Sequence, residues 1–401
     1  MCVVCAKEVE LNRLPRSLSY AMRVARLLMF LMTPGVSLSL WSKSGILYRE
    51  VRVLDFLSKL YDRVYILTYG GFEDLRHRSV LPSNVDVLFN NVGNCLAYGF
   101  LAPFVYRCMF RKFGIIVCRT VQLAGCFVGL LLKLFYGARL VLRQGYQYSK
   151  FLRSRRAFHK YVFAQILELF AYWFADVVIT TSENDREYIV RRYRVNRRKV
   201  HVIPNWVDVE AFKPMPGVPK ERGRVVFVGR LEHQKNLHAL IDAVKDLPDV
   251  KLYVIGDGSL RKELERKVAN EHVDNVVFLG VVPHEKMPYE LNRSEIFVLP
   301  SLWEGHPKTL IEAMACGLPV VGTDVEGIRE VLVDGYNGLL CKPNAKSIRE
   351  ALVKLLNDSE LRRELGENAR KFVVENYSLE KVMERELALH LWVIKSRGGM
   401  V

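Results

Sequence analysis

Five short apolar runs in the second half of the chain alternate with helix-forming stretches, and this alternation restricts the fold more than any other feature. The runs are "RVVFVG" (224–229), "KLYVIG" (251–256), "NVVFLG" (275–280), "EIFVLP" (295–300) and "LPVVGT" (318–323). Helical patterns occupy about 236–245 and 259–270 between them. Strand and helix in alternation predict a parallel sheet covered by helices on both faces. In such sheets ligands sit beyond the carboxyl ends of the strands. Each run is followed at once by a small or polar element: Gly229-Arg230, Gly256-Asp257-Gly258, Gly280-Val281-Val282, Pro300 to Glu304 and Thr323-Asp324. These loops are expected to converge on one crevice.

The first half repeats the theme, with strands expected at about 24–32, 63–68, 85–89, 114–118, 139–143, 176–180 and 200–203. Its first strand runs into "TPGVSLSLWSKSG", a loop holding Gly35 and Ser37, ahead of a helix near 46–60. The Pro- and Gly-rich stretch 204–223 reads as a linker, and a last helical pattern covers 379–394. With 401 residues, half of them apolar, the chain suits two α/β domains rather than one. No internal repeat or low-complexity tract appears.

The segment "SLWEGHPKTLIEAMACGLPVV" (301–321) carries the chemistry. Pro307 suits a first helical position and Gly317 with Pro319 marks the end, predicting a helix from about Pro307 to Cys316. The backbone N–H groups of Lys308, Thr309 and Leu310 would then favour an anion such as phosphate. Glu304 just before the helix and Glu312 within it cannot bind phosphate, but carboxylates accept hydrogen bonds from hydroxyls. The fitting ligand has phosphate in its middle and hydroxyl-rich sugars at both ends, the layout of a nucleotide sugar. Arg230 and Lys235 in "VGRLEHQKN" supply cations for a diphosphate that gathers charge as it leaves. His306 has no partner at ligand spacing, so a capping or structural role competes with donor contact, and Cys316 reads as a small buried residue.

These motifs resemble the family-4 retaining glycosyltransferases. The resemblance is carried by "VGRLEHQKN", "VIGDGSL", "FLGVVPHEKM" and the E-x7-E of "EGHPKTLIEAMACGLPVVGTDVEGIREVLVDGYNGLL", with support from "VVITTSENDREYIVRRY" and "VIPNWVDVEAFKP". It is strong over about 176–375. It implies the GT-B fold, two Rossmann-like doubly wound parallel-sheet domains facing across a cleft. Residues 1–207 would form the acceptor-binding domain, with the C-terminal helix 377–401 packing back on it, and 208–376 the domain for the nucleotide sugar. Arg230 and Lys235 would hold the diphosphate, Glu312 the ribose and Glu304 the transferred sugar. Backbone near Val281 and Val282 would meet the base, and Gly229, Gly256, His306, Lys308, Thr309 and Leu310 would complete the donor site. Where the family often shows Gly-Gly and a His in its first domain, this chain has Pro34-Gly35-Val36-Ser37 and Arg143-Gln144-Gly145-Tyr146. Gly35, Ser37, Arg143 and Tyr146 are therefore the acceptor-side candidates, with packing or a salt bridge the competing role for Arg143 and Tyr146.

Charge separates the halves: residues 1–200 hold 31 Lys and Arg against 13 Asp and Glu, and the rest 28 against 30. A whole-half bias points to an anionic partner. The basic tracts "SKFLRSRR" (149–156) and "RRYRVNRRK" (191–199) lack the interleaved aromatics of a single-stranded nucleic-acid groove, so an anionic leaflet or a phosphate-bearing lipid fits better. The run "VQLAGCFVGLLLKLFYGARL" (121–140) reads as an interfacial segment or, preferably, as a buried helix followed by a strand. No apolar stretch is long enough to span a bilayer and no signal peptide is read, so the expected location is cytoplasmic, peripheral at the inner membrane face. Eight cysteines without a second C-x-x-C support neither a zinc site nor a disulfide framework. The absence of Asp-x-Asp predicts a reaction without a catalytic metal, and no cofactor beyond the nucleotide sugar is expected.

The expected activity is transfer of a hexose, with retention, from a nucleotide diphosphate sugar to a lipid-linked or glycan acceptor. A sugar-nucleotide epimerase or phosphorylase of the same fold, and a non-catalytic nucleotide-sugar or nucleic-acid binder, stand as alternatives. The nucleotide, the sugar, the acceptor and the oligomeric state stay open.

Overall fold

Contacts within the computed structural model, which describes residues 24–145, Ser149 and 158–396, divide the chain into two units. One runs up to Ile179 and takes in Arg192–His201 and the chain from Glu386 onward; the other comprises Thr180–Arg191 and Val202–Arg385.

The first unit is built on a seven-stranded sheet of β1 (Arg26–Leu31), β2 (Arg63–Leu67), β3 (Val85–Leu88), β4 (Ile115–Thr120), β5 (Arg139–Arg143), β6 (Val177–Thr180) and β7 (Val200–Val202), in the order β3-β2-β1-β4-β5-β6-β7. The pairs from β3 through β6 are parallel. Leu27 to Leu31 of β1 are wholly buried, as a central parallel strand covered on both faces must be. All seven expected strands are present. The segment 121–140 contains a helix, Cys126–Tyr136, that leads into β5, and the final helix runs Leu379–Lys395. Tyr146 and the tract containing Arg153, Arg155 and Arg156 lie outside the described residues.

The second unit has six strands where the sequence suggests five: β8 (Arg224–Val228), β9 (Lys251–Ile255), β10 (Val276–Gly280), β11 (Ile296–Leu299), β12 (Val320–Thr323) and β13 (Leu339–Cys341), ordered β10-β9-β8-β11-β12-β13. β13 pairs with β12 through three residues only, set in the turn-rich stretch "DGYNGLLCKPN" (334–344). β12 starts at Val320 rather than Leu318, although the Pro319 carbonyl already accepts from Phe297 N–H. Strand order reverses between β8 and β11, the position where doubly wound sheets open for a ligand. The segments leaving these two strands begin with Gly229-Arg230 and Pro300-Ser301.

Candidate functional site

At the carboxyl end of β8 the chain turns through Gly229 and Arg230 into a short 3₁₀ turn, His233–Lys235. Asn236 closes that turn with a left-handed φ of 52° and opens the helix Leu237–Val244. Its side-chain amide donates to Pro300 O at 3.1 Å and Pro343 O at 3.2 Å, tying the turn to the end of β11. Leu302 N–H donates to Gln234 O at 2.8 Å, and the Gln234 amide donates to Trp303 O at 2.7 Å. The loops leaving β8 and β11 are thus stitched along their length.

The stitching brings Lys235 and Glu304 together. Lys235 Nζ lies 2.5 Å from Glu304 Oε1, and the two side chains are 13% and 8% exposed. The Ser301 hydroxyl donates to the same carboxylate oxygen at 2.6 Å, with the Gln234 amide at 3.4 Å from the other. The carboxylate is held by three donors on two loops, and its charge is matched by the ammonium. Arg230, five residues before Lys235, is exposed, and its side chain makes no hydrogen bond or ion pair among the described residues. The Lys235–Glu304 pair is neutral as a unit, so Arg230 leaves this corner cationic.

Two glycines set the spacing here. Gly256, with φ 133°, follows β9 so closely that a Cβ would stand 1.9 Å from Gly229 O. Gly327, in the short helix Glu326–Arg329, lies beneath the loop of Glu304: a Cβ there would stand 2.0 Å from Gly305 O and 2.4 Å from Glu304 O. Both obstacles are main-chain atoms, so an added methyl forces the loop to move. Gly327→Ala is expected to destabilise the chain by about 1–3 kcal/mol, read by denaturant unfolding, and to displace Glu304. An unaltered unfolding midpoint would mean that the loop yields freely.

The helix after β11 spans Lys308–Ala315. Pro307 is its N-cap in extended conformation, not its first helical residue; the carbonyl of Pro307 accepts the first ladder bond, from Ile311 N–H. The N–H groups of Lys308, Thr309 and Leu310 therefore precede the ladder, and only their position, not their number, depends on this correction. Glu312, 7% exposed, faces His284 of the loop after β10, with His284 Nε2 3.1 Å from its Oε1. The His284 ring also lies 5.1 Å from that of Phe212. His284 stands two residues beyond Val282 in the quoted motif, and nothing in its spacing marks it as the partner of Glu312. In the same loop Val281 is exposed, whereas Val282 packs against the core.

His306 is buried, its ring edge-on to Tyr377 at 4.8 Å, and neither ring nitrogen has a protein partner among the described residues. Burial, with the nearby Lys308 charge, pushes its pKa down to about 3, so the ring is neutral and brings no charge to a diphosphate. Its carbonyl accepts from the Asn205 amide at 2.7 Å. The unfolded chain takes up the proton near pH 6.5 and the folded chain only near 3, so stability is complete above pH 6.5 and falls as pH drops between these values. His306→Phe keeps the ring contact and removes the titration. It is expected to recover about 2 kcal/mol at pH 5 relative to pH 7.5, seen as a smaller drop in Tm between the two pH values. A Tm drop identical to wild type would place the acid sensitivity elsewhere.

In the first unit, Gly35 has a left-handed φ of 81° with open space around it, and the Ser37 hydroxyl caps the helix Leu38–Lys43 by accepting from Leu40 N–H at 3.0 Å. Buried Asp74, which the sequence reading missed, holds this loop: its carboxylate accepts from Leu38 N–H, Ser39 N–H, the Ser39 hydroxyl and the Thr68 hydroxyl at 2.7–2.9 Å. Burial alone would raise its pKa, but these bonds outweigh it and hold the carboxyl below its usual range. An acid of the protein itself thus occupies the start of that helix. Arg143, at the end of β5, lies 3.1 Å from Glu386, whose other oxygen takes Arg119 at 2.7 Å. Burial would raise the Glu386 pKa, yet Arg119, Arg143 and then His390 bring it down to about 2. Arg143 therefore has a buried carboxylate as partner. Among the described residues no three His, Cys, Asp or Glu side chains converge as a metal cluster.

The family model "Glycosyl transferases group 1" matches residues 208–372, and "Glycosyltransferase Family 4" matches 50–211. An uncharacterized glycosyltransferase of Methanocaldococcus jannaschii is 38% identical over 39% of this chain and 44% of its own length. The UDP-Gal:alpha-D-GlcNAc-diphosphoundecaprenol alpha-1,3-galactosyltransferase of Escherichia coli is 30% identical over 58% of this chain and 64% of its own. The chain thus spans roughly half to two thirds of the length of these relatives. Sucrose-phosphate synthase from Thermosynechococcus elongatus superposes with a TM-score of 0.74 at 20% identity, covering 92% of this chain and 99% of that one. Anabaena HepE in complex with UDP-glucose gives 0.70 at 20% identity, covering 92% and 99%. These likenesses, with the two parallel sheets, make the fold GT-B.

Proposed function

The chain belongs to the group 1, family 4 glycosyltransferases, and from that premise we propose that it transfers a hexose from a nucleotide diphosphate sugar to a lipid-linked or glycan acceptor. The observation that carries this reading is the Lys235–Glu304 pair set beside unpaired Arg230 at the switch point of the second sheet. A leaving diphosphate gathers negative charge as the glycosidic bond stretches, and fixed cations stabilise that charge where it develops. Arg230 presents a planar fork to the phosphates and Lys235 a point charge. These side chains, rather than a divalent metal, meet the diphosphate. Glu304, close to Lys235, faces the positive charge that grows on the sugar ring. Glu312 and His284 stand where the ribose would lie, with the N–H groups of Lys308 to Leu310 toward the phosphates. Retention follows from the family resemblance, by a front-face route in which the departing diphosphate accepts the acceptor's proton.

HepE supports a uridine nucleotide as the first donor to try, and the Escherichia coli relative, named for a diphosphoundecaprenol-linked acceptor, supports a lipid-linked acceptor at the inner membrane face. The test is a thermal-shift panel of UDP-, GDP- and ADP-hexoses, since a ligand that binds only the folded state raises Tm with concentration. One nucleotide series is expected to raise Tm and the others not. A panel without any shift would overturn the donor assignment.

A further inference from the structure

Two neighbouring helices of the first unit leave in solvent a set of apolar side chains that a self-contained domain would bury. On the helix Cys95–Val105, Leu96, Phe100, Leu101 and Phe104 are exposed at spacings that share one face. On the helix Cys126–Tyr136, packed alongside, Leu134 and Phe135 are exposed as well. Ring contacts join the two, Phe100 with Phe127 at 4.3 Å and Phe104 with Phe135 at 5.0 Å, and the Tyr136 hydroxyl donates to Pro103 O at 2.7 Å. Single exposed apolar residues are ordinary, but a contiguous, braced patch marks an interaction surface.

Charge identifies the occupant. Residues 87–167 contain no Asp or Glu and twelve Lys and Arg. Arg107, Arg111 and Lys112, just beyond the first helix, are exposed and without an ion pair among the described residues. A second copy of the chain would bring two uncompensated basic surfaces together. An anionic bilayer answers both features, with phosphates for the cations and the headgroup–acyl boundary for the rings. No helix of the described residues is long and apolar enough to cross a membrane, so contact of this kind is interfacial.

We propose that the paired helices Cys95–Val105 and Cys126–Tyr136 seat Phe100 and Phe104 in the interface of an anionic bilayer while Arg107, Arg111 and Lys112 engage its headgroups. This deepens the reading of a membrane-borne acceptor and rests on it for its biological sense, but not for its test. The full chain is sedimented with vesicles of phosphatidylcholine alone or mixed with phosphatidylglycerol, at low salt and at 1 M salt, where the Debye length is about 3 Å. Wild type is expected to bind the mixed vesicles and to retain part of that binding at 1 M salt. Phe100→Ser with Phe104→Ser should abolish the salt-resistant part and lower low-salt partitioning at least about tenfold. Arg107→Gln, Arg111→Gln and Lys112→Gln together should weaken binding at low salt only. Because Phe100 and Phe104 also contact neighbouring rings, Leu96→Asp provides a second variant outside those contacts and should act in the same direction.

Binding lost entirely at 1 M salt and indifferent to the Phe and Leu changes would overturn insertion in favour of charge alone. A concentration-dependent dimer broken by those changes, without vesicle binding, would assign the face to a second copy. Consumption of nucleotide sugar without vesicles is measured in parallel. If it is retained in Leu96→Asp while vesicle binding falls, the surface is separated from the donor site; if wild type consumes no donor yet binds vesicles, the functional reading fails and the surface stands.

Discussion

Lys235→Ala is expected to slow sugar transfer by a factor on the order of 10²–10³, the usual loss when one fixed donor is withdrawn from developing negative charge. The effect should fall on kcat as well as kcat/KM, because Lys235 matters most when the diphosphate departs. The substitution also strands Glu304, which keeps only the Ser301 hydroxyl at 2.6 Å and the Gln234 amide at 3.4 Å. Breaking a largely buried pair by removing one partner costs stability, so Tm is measured beside the rate. Arg230→Ala provides the cleaner comparison: Arg230 is exposed and unpaired among the described residues, so its loss should slow transfer to a similar degree with an unchanged Tm. Wild-type turnover in both variants would remove the two cations from the mechanism.

Glu304→Gln separates charge from shape. The amide fits the same space and its carbonyl still accepts from Ser301 and Lys235, but the negative charge facing the sugar ring is gone. Turnover is expected to fall on the order of 10²-fold, a loss confined to the transition state. Nucleotide diphosphate affinity should hold or tighten, since Lys235, no longer neutralised at 2.5 Å, presents its full charge to the phosphates. Weakened nucleotide binding with normal turnover would mean that Glu304 serves the nucleotide and not the transferred sugar.

The strand framework was legible because buried parallel strands are written as short apolar runs, and all seven in the first sheet and five of six in the second stand out on that ground. β13 escaped because its three residues lie in the turn-rich stretch "DGYNGLLCKPN" (334–344), where glycines, asparagines and a proline read as loop. Lys235 and Glu304 were each legible in residue type and loop position, since both follow strands that flank the switch point, but the ion pair between them was not expected. What could not be read is what depends on distant segments meeting. Asp74 sits in a stretch with no motif, and its role exists only because Thr68 and the loop at Ser37–Ser39 close over it. His284 meets Glu312 through a loop whose path the sequence does not state. Gly327 is visible as a glycine, but its reason, a main-chain oxygen of the Glu304 loop 2.4 Å from where a Cβ would be, is purely tertiary. Arg143 was weighed between substrate contact and a salt bridge, and its carboxylate partner lies 243 residues away.

Release of nucleoside diphosphate from UDP-, GDP- and ADP-hexoses, followed with and without membranes carrying lipid-linked glycan, tests the central claim most directly. The expected result is slow release from one nucleotide series alone, accelerated by the membranes and lowered by two to three orders of magnitude in Lys235→Ala. Saturable binding of a nucleotide sugar with no release under either condition would contradict it and make the chain a binder rather than a transferase.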